Sequence, residues 1–206
     1  MSQDLGKIEK PEAKDYKKSR KVYLVPLIYA GENVPGDYME KYELYWKQVP
    51  EHMENLENRI GLAKHIYHES ICEAGDDGLK ALENLHKQSF GMVKERCQRG
   101  ACFEALEDKE LLEEALDWQR CLIMGFMSQK VADKVSQYYI ETSKKRYSHI
   151  EGVIDRTLQT DEAALLLINE RHMIQFPSDI EVFRVAPPAL NEINKWLRDR
   201  QNMQQK

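Results

Sequence analysis

The sequence predicts an α/β fold, a small and mainly parallel sheet covered by helices, with a long helical hairpin or appendage. Three observations carry this. Ala163–Ile168 is an unbroken apolar run, which suits a strand buried on both faces, and such strands belong to sheets covered by helices. A second β-rich run, Ile180–Val185, follows a charged segment over Asn169–Asp179, and Pro187-Pro188 then opens an amphipathic helix on Leu190, Ile193, Trp196 and Leu197. Third, Val131, Val135, Tyr138, Thr142, His149, Val153 and Leu158 keep largely to helical spacing from Ser128 to Leu158, a stripe longer than a small sheet can cover.

The elements follow in order. Val22–Ala30 is a first strand rich in Val, Ile, Leu and Tyr, with Pro26 demanding an edge position or a bulge. Gly31–Asp37 is a loop. Tyr42, Tyr45, Val49, Met53, Leu56 and Ile60 recur at steps of three and four, predicting a helix over 38–60 in which Pro50 is a kink or a restart. Gly61 ends it. Ala63–Ser70 is a second strand, and the Gly75–Gly78 turn leads into a helix on Leu79, Leu82, Leu85 and Phe90 that Gly100 stops. Ala101–Leu106 is a third strand, and Asp108 caps a helix on Leu111, Leu112, Ala115, Leu116 and Leu122. The long run over 128–158 comes next, then the strands at 163–168, central in the sheet, and 180–185.

Length and charge narrow the function classes. A chain of 206 residues suits one α/β domain over 21–206, preceded by a basic-leaning flexible tail over 1–20. No apolar run approaches the roughly 18 residues of a membrane span, and the N-terminus lacks the apolar core of a signal peptide, so the expectation is a cytoplasmic protein without a membrane partner. A net charge of −5 disfavours a chain-wide nucleic-acid binder, since phosphate contacts need clustered cations. The one basic cluster is Lys14, Lys17, Lys18, Arg20 and Lys21 in the tail. Cys72, Cys97, Cys102 and Cys121 show no Cys-x-x-Cys spacing, which argues against a zinc ribbon or a dithiol redox site.

Three constellations bear on chemistry. His65-x-x-His68-Glu69 ends the second strand, where side chains alternate faces, so the two rings diverge and no metal site is expected. Glu104 precedes an acidic helix holding Glu107, Asp108, Glu110, Glu113, Glu114 and Asp117; a solvated face is the ordinary role of such a helix, whereas Glu104 itself lies near a strand's carboxyl end. Asn169-Glu170-Arg171-His172 follows the most apolar strand directly, on the rim where α/β proteins bind ligands. Phosphate-binding and serine-nucleophile glycine motifs are absent, and no cofactor is identified.

Two functions of different class fit these residues. One is a binding or assembly module, homo-oligomeric through the helices at 38–60 and 128–158, with Tyr42, Trp46, Tyr138 and Tyr139 as exposed aromatics and a small-molecule site on the sheet's carboxyl edge. The other is a hydrolase-type enzyme with His172, His68, Glu69 and Glu104 as catalytic groups and Arg171, Glu170 and Asn169 as ligand contacts. The discriminator is whether His68, Glu104 and His172 converge around one pocket.

Overall fold

Alternating β-rich and helical stretches resolve, in a computed structural model that describes residues 19–31 and 34–204, into five parallel strands and six helices. In chain order they are β1 (Arg20–Pro26), α1 (Gly36–Ile60), β2 (Ala63–His68), α2 (Gly75–Leu85), α3 (Lys87–Gln98), β3 (Cys102–Phe103), α4 (Lys109–Met124), α5 (Gln129–Thr157), β4 (Ala163–Ile168), β5 (Ile180–Arg184) and α6 (Pro188–Gln204). The sheet order is β3-β2-β4-β1-β5, parallel throughout.

Period-two alternation divides the core into two layers. Tyr23, Val25, Ile66, Leu165 and Leu167 face α1, α2, α3 and α6 on one side. Val22, Leu24, Tyr67, Ala164, Leu166 and Ile168 face Ile150, Val153, Ile154 and Leu158 of α5 on the other. β4 lies in the middle of the sheet and all six of its residues are buried, as its unbroken apolarity requires.

Several boundaries differ from the sequence reading, each for a physical reason. β1 is not an edge strand but sits between β4 and β5. Pro26 is tolerated because Lys21 and Leu27 donate toward β4, which turns the Pro26 nitrogen toward β5, whose register with β1 ends at Leu24. α1 runs unbroken through Pro50. Gly61, at φ 125°, ends it and donates to the Glu57 carbonyl. The single helix expected over 79–99 is two, broken at His86, whose ring caps α3 by accepting from the Ser89 N–H. At Gly78 of α2 a Cβ would stand 2.2 Å from the Glu73 carbonyl oxygen and 3.2 Å from the Phe103 ring, so only glycine fits against the backbone that leads into α2. β3 pairs over two residues only.

The tail expected over 1–20 lies, up to residue 18, outside the described residues. The last two cations of the basic cluster, Arg20 and Lys21, belong to the fold. Arg20 is buried at the start of β1 and pairs with Asp155 and Asp179 at 2.8 and 2.7 Å, and Lys21 is buried with its ammonium on the Ser19 carbonyl. Tyr42 and Trp46, read from sequence as exposed, are core residues at 3% and 6% exposure, because the stripe of α1 is covered by its own sheet and by α6.

Candidate functional site

Chain direction singles out one place on the carboxyl edge. From β1 the chain leaves across α1 on one face toward β2, while from β4 it leaves along the other face, where Ile174 and Phe176 pack, toward β5. The adjacent ends of β1 and β4 therefore form the switch point at which open α/β sheets bind ligands. Leu27, Ile28 and Tyr29 border it from β1, Asn169 to Arg171 from β4, and His68 and Glu69 from β2.

His68 occupies the α1–α3 side of this edge and is fully buried. Its Nδ1–H donates to the Glu69 carbonyl at 2.7 Å, leaving Nε2 to face the Ser89 hydroxyl at 3.2 Å. That hydroxyl also lies 2.8 Å from His86 Nδ1 and 3.2 Å from the His86 carbonyl. His86 completes the chain by donating from Nε2 to the Ile28 carbonyl at 3.2 Å. One hydroxyl proton thus faces three acceptors, and the chain ties the end of β2 to the end of β1 through the α2–α3 break. Burial lowers the pKa of His68 to about 4 and that of His86 in the same direction, so both rings are neutral near pH 7. Tyr29 and Trp46 close over His86 edge-on, at 5.0 and 4.7 Å between ring centroids.

Glu69 turns toward the opposite side and meets α5. Its carboxylate accepts from Arg146 at 3.1 Å and from the Asn169 backbone N–H at 2.9 Å. Arg146 also grips Glu107 with both Nε and Nη2, and Glu107 accepts from the Ser70 N–H at 3.1 Å. Ser70 sits in the left-handed region at φ 68°, a position that costs a non-glycine residue free energy and is held here by that bond. One guanidinium between two carboxylates links the ends of β2 and β4 to α5. Burial opposes the charge on Arg146, but Glu107 and Glu69 outweigh it and its pKa is raised. The hydroxyl of Tyr29 lies close enough to feel both Glu69 and Arg146, and burial raises its pKa.

The remaining expected residues lie apart. Glu104 binds His65 at 2.8 Å, and the other nitrogen of that ring reaches Glu162 at 3.2 Å; His65 shares a face with Tyr67, so this group stands across the sheet from the ring of His68. His172 accepts from the Ile174 N–H at 3.3 Å and lies edge-on to Phe176. Burial lowers its pKa. Asn169 caps its own turn by accepting from the Arg171 N–H at 2.8 Å, and Glu170 pairs with Arg184. The structure thus brings Glu69 to Asn169, sets Glu104 across the sheet from His68, and packs His172 within its own loop on Ile174 and Phe176. Among the described residues no group of three or more His, Cys, Asp or Glu side chains is arranged to hold a metal ion.

Sequence reasoning missed Ser89, His86, Arg146 and the inward turn of Glu107. Arg146 had a readable signal, since it falls four residues after Thr142 and four before Ile150, on the buried stripe of α5.

Above this edge stands an arm. α4 starts at the carboxyl end of β3, and α5 returns from Gln129, so the two helices extend beyond the sheet before α5 descends its back face. Between 118 and 141 no residue is buried. Half of the large apolar side chains exposed among the described residues lie on this arm: Leu116, Ile123, Met124, Phe126, Met127, Val131, Tyr138 and Ile140. Trp118 stacks on Tyr138 at 5.0 Å and Thr142 donates to Glu114 at 2.8 Å, a thin internal seam. Among the described residues no helix is long and apolar enough to cross a membrane. No family model, curated protein or solved structure matches this chain.

Proposed function

We propose that this protein is an assembly module whose working surface is the α4–α5 arm, paired with the arm of a second copy. The observation that supports the reading is the distal arm itself, a two-helix projection that buries no residue of its own while carrying exposed apolar side chains at Ile123 (77%) and Met124 (84%). Helices in water draw most of their stability from packing an apolar face, and contiguous exposed apolar surface marks an interaction site.

Charge favours a second copy as the occupant. α4 carries Glu110, Glu113, Glu114 and Asp117 against Lys109 and Arg120, an acidic excess, whereas α5 up to Lys145 carries Lys130, Lys134, Lys144 and Lys145 against Asp133 and Glu141, a basic excess. A two-fold pairing sets α4 of each copy against α5 of the other, so that acidic and basic faces meet twice and the apolar stripes close into a four-helix bundle. The helix over 38–60, the other half of the interface expected from sequence, has its stripe inside its own fold and takes no part.

Light scattering at about 100 μM protomer is expected to give a dimer. Replacing Ile123 and Met127 by Ser should raise its dissociation constant by at least about tenfold, and Lys130→Glu with Lys134→Glu should weaken it in a salt-dependent way. A wild-type monomer at that concentration, or an I123S/M127S protein that stays dimeric, defeats the proposal.

A further inference from the structure

On the β5 side of the carboxyl edge runs a groove that neither the buried network nor the arm uses. One wall is the end of β4 and β5, with Glu170, Arg171 and Arg184; the other is α6, with Asn191, Asn194, Arg198 and Gln201. The spacing of the α6 residues, three, four and three, puts their side chains on one face of the helix. The groove is an open cleft of about 520 Å³, within the range of small-ligand sites. Leu197 is its one apolar side chain.

The geometry points to a binding site for a small phosphorylated ligand in this groove. Three guanidiniums face one carboxylate, on a chain whose net charge is −5. That concentration of positive charge draws an anion. Among the described residues, the side chains of Arg171 and Arg198 make no ion pair or hydrogen bond. Arg184 is paired with the carboxylate of Glu170. A single carboxylate fills one guanidinium fork, whereas a phosphate group offers oxygens to two or three at once. The amides of Asn191, Asn194 and Gln201 add donors and acceptors for the rest of the ligand. Nucleic acid fits less well: its backbone needs a continued track of cations, and Glu192 and Asp199 flank this stripe on α6.

The site lies off the carboxyl ends of β4 and β5, where α/β sheets place ligands, and it stands whether or not the arms pair. Glu170 then competes with the ligand for Arg184.

Calorimetric titration of the full chain with inorganic pyrophosphate at low ionic strength tests this. Saturable binding is expected, weakened by at least about tenfold in an Arg171→Gln/Arg198→Gln protein, because each lost charge-assisted contact contributes roughly that factor or more. Glu170→Gln should tighten binding several-fold by releasing Arg184. ADP that binds more tightly than pyrophosphate would place a nucleoside in the groove as well, and equal binding would leave the phosphates as the whole ligand; both uphold the site. The I123S/M127S arm protein should bind as the wild type does. No saturable binding up to about 10 mM, unchanged affinity in the R171Q/R198Q protein with its circular dichroism intact, or capture of single-stranded RNA that pyrophosphate fails to displace overturns the inference.

Discussion

His68 shows how one side chain couples the carboxyl edge to pH. It is enclosed and neutral, with a folded pKa of about 4 against an ordinary value of 6.5. Between these values the unfolded chain takes up a proton that the folded protein refuses, so stability falls as pH falls through this window and is fully recovered above it. The two values give a loss of about 2 kcal/mol between about pH 7 and pH 5. Burial shifts His86 and His172 in the same direction and adds to the slope. In His68→Asn the amide can still donate to the Glu69 carbonyl but cannot titrate, so urea midpoints at the two pH values should lie closer together than in the wild type. An H68N protein with the wild-type pH slope would show that His68 is protonated in the fold. At this scale the sequence was only partly legible. His68 stood out as a rim residue, but that its ring would be satisfied by Ser89 and His86 depends on the helix break at His86, and an imidazole is not among the ordinary helix caps that a sequence advertises.

Elements are positioned by a few such residues, and α5 is the clearest instance. Its lower half packs through Ile150, Val153 and Ile154, but its registration against the ends of β2 and β4 comes from Arg146 between Glu107 and Glu69. Arg146→Met would leave the fully buried carboxylate of Glu107 without its cation, at a cost of about 3–5 kcal/mol. Adding Glu107→Gln removes the stranded charge while keeping an acceptor for the Ser70 N–H, so the double variant should lose less than the sum of the singles. Chemical denaturation of the three proteins checks this; strict additivity would mean that the contact does not anchor α5. Strands were legible where burial alone specifies them, as in Ala163–Ile168, and illegible where pairing does. β3 has two paired residues because past Glu104 the chain turns its N–H groups from β2 to the Ile71 carbonyl, which accepts from Leu106 and Glu107, and no pattern within Ala101–Leu106 records that. The continuity of α1 through Pro50 was unreadable for the same reason, since the packing of Tyr45, Trp46, Val49 and Met53 against the sheet overrides the local cost.

Across the whole molecule the core and the arm differ in burial. The sheet and its two covering layers bury Tyr42, Tyr45, Val49, Met53, Leu82, Val153, Leu190 and Ile193 of the stripes that the periodicities marked inward, whereas the chain from 118 to 141 contributes nothing to that core. The extended stripe over 128–158 was legible in the sequence, but its meaning was not, because only the placement of α4 and the sheet's short reach show which half of α5 stays outside. With 29 residues α5 spans about 43 Å, and its buried positions begin at Thr142. Trp118 and Tyr138 stand face to face across the arm, so residues 119–137 can be replaced by a short Gly-containing turn joining α4 to α5 below the tip. The shortened protein should fold with a thermal midpoint within about 5 °C of the wild type, because no core contact is lost, and it should be a monomer at concentrations where the full chain is paired. Differential scanning calorimetry and light scattering on the same sample read both results. A shortened chain that no longer melts cooperatively would show that the arm supports the fold itself, and one that folds yet still pairs would place the interface elsewhere on the molecule.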